Sequence, residues 1–208
     1  MRIAVGSDHA GFELKESLAD RLREGGHEII DCGAYSADRV DYPDFGAAVG
    51  RAVRDGNAEG GLCVCGSGIG IAMAANKIAG IRAATVWDAT SAHLAREHND
   101  ANVICIGERL IGPAVAAEAL DAWLGASFEG GRHEGRVAKI DAIGGERQAK
   151  NWLATEKKIS KSLPIRDIRI RREVEDWLDY ASSIVQKTSL SERLTLDGLV
   201  SVWHPWLK

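Results

Sequence analysis

No stretch of this 208-residue chain approaches the roughly 20 apolar residues that a helix needs to cross a bilayer. The first residues also lack the charged segment and the long apolar segment of a secretory signal, so we expect a cytoplasmic protein. A net charge of only −4 provides no general attraction to nucleic acid or to anionic membranes. We therefore expect neither nucleic acid nor a membrane among its partners.

Cysteine is scarce: the chain has four, at positions 32, 63, 65 and 105, each near the end of a predicted strand. Thiols placed in this way in a chain without a secretory signal are typical of reduced cytoplasmic proteins rather than of a disulfide framework. The pair Cys63 and Cys65 could suggest a metal, but neither a second cysteine pair nor clustered histidines complete a set of four ligands. The sequence therefore predicts no metal site.

Glycine, by contrast, is abundant, and one glycine-rich stretch organises the chain. Leu62–Cys65 is a short apolar run without polar alternation, which is typical of a strand buried on both faces of a parallel sheet. Gly66, Gly68 and Gly70 then permit a tight turn, and the small residues from 71 to 75 favour a helix. The stretch predicts a site for an anionic ligand, because unpaired amide groups and the helix dipole point toward one place.

Two side chains at the mouth of this turn, Cys65 and Ser67, could take part in catalysis. Most cysteines that end a buried strand are inert core residues, so the stretch alone leaves both interpretations open. A dinucleotide site is less well supported, because the spacing is G-x-G-x-G rather than G-x-G-x-x-G. Asp88 does follow where a ribose-binding acid could lie, but this single coincidence does not outweigh the missing glycine.

Apolar runs alternate with helical periodicity along residues 1–144. Strands are predicted at residues 3–5, 27–31, 62–65, 81–86 and 103–106, with helical segments between and after them. Thr90 is predicted to cap the helix after the fourth strand, and Pro113 suits the first turn of the last helix. The repeated strand-then-helix order predicts an α/β fold, a doubly wound parallel sheet of about five strands with flanking helices.

Polar side chains gather at strand ends or in the turns after them, where open α/β sheets bind ligands. They are Asp8, His9, Cys65, Ser67, His98, Asn99 and Arg109. Arg132 and Arg136 are four residues apart and share one face if their stretch is helical, which suits bidentate binding of a phosphate. Each residue alone is better explained by a structural role or by solvation than by a function, and it is their joint placement that favours a function.

Composition changes after Gly144. Residues 145–208 hold only two of the 23 glycines but four of the six tryptophans, and Lys and Arg outnumber Asp and Glu there. An apolar stripe at helical spacing includes Val174, Trp177 and Ile184. We therefore predict a domain over residues 1–144 with every candidate site residue, and a helical carboxyl-terminal extension over residues 145–208.

Several blocks of the chain stand in a specific order: Gly6-Ser7-Asp8-His9-Ala10-Gly11-Phe12, Asp41-Tyr42-Pro43, Cys65-Gly66-Ser67-Gly68-Ile69-Gly70, Asn76-Lys77, Gly80-Ile81-Arg82-Ala83, His98-Asn99-Asp100-Ala101-Asn102 and Glu129-Gly130-Gly131-Arg132-His133. Together they resemble type B ribose-5-phosphate isomerases and the related galactose-6-phosphate isomerase subunits. The resemblance covers residues 1–144 and implies a Rossmann-like fold and an aldose–ketose isomerase that uses no cofactor. It also implies a homodimer or a pair of dimers, with the active site near the dimer interface.

The resemblance further implies roles for single residues. Cys65 resembles the general base that moves a proton between C2 and C1 of the sugar, and His98 the group that opens the furanose ring. Asp8 and Ser67 complete this catalytic set. Asn99 and the backbone of Gly66, Ser67, Gly68, Ile69 and Gly70 resemble the contacts to the enediolate and the hydroxyls. His9, Arg109, Arg132 and Arg136 resemble the phosphate clamp.

The leading hypothesis is interconversion of ribose 5-phosphate and ribulose 5-phosphate through an enediolate. A tetrose phosphate, or a hexose phosphate such as allose 6-phosphate or galactose 6-phosphate, is an alternative substrate. A non-catalytic sugar-phosphate sensor is an alternative from another functional class.

Overall fold

The computed structural model of this protein describes residues 1–143, in which strands and helices alternate. The elements are β1 (Arg2–Ser7), α1 (Phe12–Glu24), β2 (Glu28–Asp31), α2 (Tyr42–Arg54), β3 (Gly60–Cys65), α3 (Ile69–Ala75), β4 (Ala83–Thr85), α4 (Ala89–Asn99), β5 (Val103–Gly107) and α5 (Pro113–Gly125). A 3₁₀ turn at Gly131–His133 leads into helical residues 134–143. The chain divides between Gly144 and Gly145 into two units, and the predicted helical extension over 145–208, with its apolar stripe, lies outside the described residues.

The five strands form one parallel sheet in the order β2-β1-β3-β5-β4. This confirms the predicted α/β fold with a doubly wound parallel sheet. The chain moves outward from β1 to β2 and then returns to pair β3 on the other side of β1. Open α/β sheets bind ligands at such a switch point, beyond the carboxyl ends of the strands.

Both faces of the sheet are covered, which explains why the strands show no polar alternation. On one face, side chains such as Ile3, Leu62 and Ile104 pack against α1, α4 and α5. On the other face, smaller side chains such as Ala4, Cys63 and Cys105 pack against α2 and α3. Three of the four cysteines are therefore buried core residues, and all four are free thiols, as predicted.

The start of α4 differs from the prediction. Asp88, and not Thr90, is its N-cap, because the Asp88 carboxylate accepts a hydrogen bond from the Ser91 N–H at 2.6 Å. The Ser91 hydroxyl in turn accepts from the Asp88 N–H at 3.2 Å, so two backbone donors are satisfied reciprocally. The predicted fourth strand is also too long: β4 is a three-residue edge strand that ends at Thr85.

One charged side chain, that of Lys15, is wholly buried. Its Nζ donates to both carboxylate oxygens of Asp31, at 3.1 and 3.2 Å, and to the carbonyl of Ala34 at 2.8 Å. The Gly33 carbonyl in the same loop accepts from the Ser7 N–H at 2.6 Å. Lys15 thus ties the loop after β2 to α1, and backbone hydrogen bonds tie the same loop to the end of β1, directly before the predicted site residue Asp8.

Within residues 1–143, no helix has both the length and the apolar character that crossing a membrane would require.

Candidate active site

The residues that follow β1 and β3 form a single cleft at the carboxyl edge of the sheet, with a volume of about 550 Å³. It is lined by Asp8, His9, Ala10, Tyr42, Cys65, Gly66, Ser67, Ile69, Gly70, Arg109 and Leu110. Eight of these are site residues that the sequence predicts, and they come from three separate strand ends. The topology brings them together because neighbouring parallel strands end at the same edge.

Cys65 is the last residue of β3 and is only 3% exposed. Its Sγ accepts a hydrogen bond from the Gly68 N–H at 3.1 Å, a contact that strengthens when the sulfur carries negative charge. Gly68 has a φ of 73°, and a Cβ on it would lie 2.9 Å from the carbonyl carbon of Ile106. Only glycine fits this position without strain, so the donor to the sulfur depends on Gly68.

Arg109 reaches the cleft from the end of β5. Its N–H donates to the Gly66 carbonyl at 3.1 Å, and the neighbouring Glu108 N–H donates to the Cys65 carbonyl at 3.0 Å. The guanidinium lies over Gly66, where a Cβ would be 3.3 Å from the Arg109 Cζ. Backbone hydrogen bonds thus hold Arg109 against the glycine turn, and its guanidinium lies in the cleft over Gly66, in a place that suits an anionic group of a ligand.

Asp8 and His9 follow β1 on the opposite side of the thiol. The Asp8 side chain is almost completely buried, and its Oδ1 accepts from the Ala10 N–H at 3.0 Å. The His9 Nδ1 lies 3.1 Å from the Val40 carbonyl oxygen and 3.3 Å from the Val40 nitrogen. Because these contacts involve Nδ1, the other ring nitrogen of His9 is the one that can serve a ligand.

Tyr42 and Leu110 line the cleft but were not among the predicted site residues. Tyr42 begins α2, and its ring packs on Gly70, where a Cβ would be 2.7 Å from the aromatic carbons. The sequence places Tyr42 in a loop, although Pro43 beside it is a signal for the first turn of a helix. Recognition of that signal would have placed Tyr42 at the mouth of the cleft.

Five predicted residues are not among those that line the cleft: Gly68, whose N–H donates to the Cys65 sulfur, and His98, Asn99, Arg132 and Arg136. His98 lies near the end of α4, and its ring stacks on that of His133, with the centroids 4.4 Å apart and the planes 7° apart. The Arg132 Nε lies 3.1 Å from the His133 Nε2. Within one chain, the structure therefore separates the predicted site residues into two groups.

His98 belongs to the second group, which consists of His98, Asn99, Arg132 and Arg136. It also takes part in a cluster of side chains that the sequence did not predict. Nitrogen atoms of His98 and His133 and a carboxylate oxygen of Glu129 all lie within 4.8 Å of one another. These are donors that zinc accepts, although they number three and not the four that the sequence analysis required of a structural site. The two histidines are far apart in sequence, and only the fold brings them together.

This cluster fits a metal poorly in the observed geometry. The lone pair of an imidazole nitrogen lies in the ring plane, and the two rings are almost parallel. Their lone pairs therefore run side by side instead of converging on one point, as tetrahedral coordination needs. A bound metal would require one ring to rotate, and the absence of a metal site stays a prediction.

Arg82 connects the segments that carry the second group. Its guanidinium donates to both carboxylate oxygens of Asp141, at 3.0 Å, and to the carboxylate of Asp100 at 2.8 Å. Its Nε also donates to the carbonyls of Asn99 and Asp100 at the end of α4. One largely buried side chain thus joins the end of α4 to helical residues 134–143.

Comparisons with known proteins agree with one another over this part of the chain. The family profile described as Ribose/Galactose Isomerase matches residues 3–140. The chain is 49% identical over 142 residues to ribose-5-phosphate isomerase B of Escherichia coli K12, covering 68% of this chain and 95% of the relative. It is 42% identical over 148 residues to a D-erythrulose-4-phosphate isomerase of Pectobacterium atrosepticum, covering 69% and 93%. Among solved structures, ribose-5-phosphate isomerase B of Clostridium thermocellum matches with a TM-score of 0.70 and 48% identity, covering 71% of this chain and 99% of that chain.

Proposed function

The chain belongs to the ribose/galactose isomerase family and is an aldose–ketose isomerase, and we propose that it interconverts ribose 5-phosphate and ribulose 5-phosphate. The observation that carries the proposal is the position of the Cys65 sulfur. It lies in a cleft between Asp8 and His9 on one side and Arg109 on the other, with the Gly68 N–H as donor.

In the proposed mechanism Cys65 acts as the general base. The Cys65 thiolate takes the proton from C2 of the open-chain aldose, and the C–H electron pair forms the C1–C2 double bond of an enediolate. The thiol then returns the proton to C1, while a proton moves from the C2 oxygen to the C1 oxygen and leaves the ketose. The enediolate oxygens need hydrogen-bond donors, and the Ser67 hydroxyl and the amides of residues 66–70 are the groups beside the sulfur.

The charged groups of the cleft are assigned to the phosphate. Arg109 offers a planar guanidinium that matches phosphate oxygens, and the free ring nitrogen of His9 lies in the same cleft. Arg132 and Arg136 are assigned to the same phosphate, although neither lines the cleft of its own chain.

We therefore propose that a second copy of the chain completes each site. In this arrangement His98, Asn99, Arg132 and Arg136 of one copy reach the cleft of the other. Exposed apolar side chains at and beside the cleft support such an interface: Tyr42, Ile69 and Leu110 on its lining and Met73 one turn further along α3 are all more than a third exposed. Burial of such a surface is what favours association.

The D-erythrulose-4-phosphate isomerase among the relatives favours a second candidate, the same chemistry on a tetrose phosphate. The deciding experiment compares kcat/KM for ribose 5-phosphate with the values for four- and six-carbon aldose phosphates. We expect the five-carbon substrate to have the highest value. A higher value for either of the others would reject ribose 5-phosphate as the main substrate while leaving the isomerase chemistry in place.

A further inference from the structure

His133 is a buried titratable residue that the mechanism above does not use. It is 4% exposed, whereas a third of the His98 side chain is exposed. The two rings stack face to face with their planes 7° apart. The exposed face of His98 is thus open to a ligand, while its inner face lies on a ring that is shielded from water.

The ring of His133 is held in place by its surroundings. Its Nε2 lies 3.2 Å from the Glu129 Oε2 and 3.1 Å from the Arg132 Nε. The backbone N–H of His133 donates to the Gly130 carbonyl at 3.0 Å, and the backbone N–H of Glu129 donates to the Glu97 carbonyl at 2.9 Å. The second of these bonds ties the segment to α4, next to His98.

Among residues 1–143, the polar contacts that the His98 ring makes are long. Its Nε2 lies 3.4 Å from the Glu97 Oε2 and 3.9 Å from the Glu129 Oε2. Both distances exceed the roughly 2.7–2.9 Å of a charge-assisted hydrogen bond. The stack on His133 is therefore the contact that sets the plane of the His98 ring.

We propose that His133 is a positioning residue that holds the His98 imidazole in the orientation needed to open the furanose ring of the substrate. The inference rests on the proposed function, which assigns ring opening to His98. Because proton transfer depends strongly on geometry, a displacement of about 1 Å can lower the rate on the order of a hundredfold. His133 acts through the flat face of its ring, and its nitrogen atoms serve only to hold that ring in place.

The two substrates differ in whether their ring must be opened, and this difference allows ring opening to be measured separately from proton transfer. Ribose 5-phosphate is mainly a furanose and must be opened before C2 can lose its proton. Ribulose 5-phosphate is open-chain, because the oxygen that would close a five-membered ring on its ketone carries the phosphate. Incorporation of solvent deuterium at C1 of ribulose 5-phosphate therefore reports proton transfer without ring opening.

The test uses two substitutions of similar size, His133→Phe and His133→Leu, in the full chain. Phenylalanine preserves a flat ring for stacking and leucine does not, while both remove the nitrogen atoms. We expect His133→Leu to lower kcat/KM for ribose 5-phosphate about 10- to 100-fold. Deuterium exchange into ribulose 5-phosphate should stay near the wild-type rate. His133→Phe should recover most of the lost activity.

His93→Leu is the matched control, because His93 lies on the same helix but is exposed and contacts Glu97. This substitution should change neither kcat/KM for ribose 5-phosphate nor the rate of deuterium exchange into ribulose 5-phosphate. Equal losses for His133→Phe and His133→Leu would show that the nitrogen atoms are what matters, and would overturn the inference. So would a parallel loss of net conversion and exchange in the leucine variant, or no loss at all.

Failure of the proposed function has a different signature. In that case the wild-type protein itself incorporates no solvent deuterium into ribulose 5-phosphate. Circular dichroism and the thermal midpoint of each variant establish that the compared proteins are folded.

Discussion

Cys63 and Cys65, which are two residues apart, have different roles in the proposed chemistry. Cys63 and Cys65 are both buried on the same face of β3, but only Cys65 lies at the strand end and lines the cleft. Their side chains share a face because strand side chains alternate with a period of two. Position along the strand, and not burial, distinguishes the thiol that is proposed as the base from the thiol of the core.

We expect Cys65→Ala to lower kcat by about 10²–10⁴, since a general base contributes that much to a proton-transfer step. Binding of ribose 5-phosphate, measured by calorimetry, should change by less than about threefold, because the proposal assigns the phosphate to Arg109 and His9 and not to the thiol. Cys63→Ala is the control and should leave kcat intact while lowering the free energy of unfolding by about 1 kcal/mol. Similar kcat losses in both variants would indicate that the pair is structural.

Cys32 provides a prediction on pH dependence. The pKa of Cys32 is raised to about 11, mainly by burial and also by the neighbouring Cys63 and Asp31, while Lys15 and Arg51 oppose the shift. At pH 8 only about one molecule in a thousand carries the thiolate, which is the form that reacts with iodoacetamide. The labelling rate of Cys32 should therefore rise about tenfold per pH unit between pH 8 and pH 10.

Peptide mass spectrometry after short exposures to iodoacetamide measures that rate. The same peptide labelled in concentrated urea is the control, because the unfolded chain exposes an ordinary thiol. A folded-state rate that levels off below pH 9 would contradict the shift.

At the scale of the elements, the second group of site residues depends on how α4 ends. Asp100 ends α4 in a left-handed conformation, with φ at 46°, and its carboxylate pairs with both Arg82 and Arg96. Such a conformation is uncommon for a residue other than glycine. The ion pairs therefore help to fix the turn that follows His98 and Asn99.

Arg82→Ala should lower the free energy of unfolding by about 2 kcal/mol. Breaking a fully buried ion pair costs roughly 3–5 kcal/mol, and the value is reduced here because Asp100 and Asp141 remain partly in contact with water. Urea unfolding measures the difference. Arg54→Ala is the matched control: Arg54 pairs with Asp55 on the surface, and its loss should leave the stability nearly unchanged. An equally small effect at Arg82 would mean that this network does not hold the end of α4.

At the scale of the whole molecule, the proposed function makes the oligomeric state part of the chemistry, because the predicted site residues fall into two groups within one chain. If a second copy completes each cleft, Cys65→Ala and His98→Ala chains disable different halves of a site. Coexpression of the two inactive variants should then restore about a quarter of the wild-type activity. Half of the dimers are mixed, and each mixed dimer has one intact site. Activity that remains absent in verified mixed dimers would place both residues in the site of one chain.

Removal of residues 145–208 tests the predicted division of labour along the chain. All proposed site residues precede residue 145, and the E. coli relative aligns over 95% of its own length with 68% of this chain. We expect the shortened protein to keep a similar kcat while its assembly, thermal stability or solubility changes. Sedimentation equilibrium and steady-state kinetics on both chains measure this. A folded, normally assembled short chain with a collapsed kcat would show that residues 145–208 contribute to the site.

The sequence alone determined the order of the elements and the first group of the site. Short unbroken apolar runs such as Leu62–Cys65, followed by glycine turns, are typical of strands buried on both faces, and the turns after them hold polar residues for which the core has no room. Asp8, Cys65 and Arg109 were therefore predictable from local patterns. The N-cap at Asp88 was missed because both Thr90 and Asp88 suit that position. Which of the two residues caps α4 depends on where β4 ends.

The tertiary structure decided which distant residues meet. The order β2-β1-β3-β5-β4 places the ends of β1, β3 and β5 side by side, and no local pattern encodes that order. It also stacked His98 on His133 and placed both outside the cleft of their own chain. Such contacts depend on the packing of whole helices against a sheet. The energy that selects them is therefore distributed over many buried side chains, and no single motif predicts them.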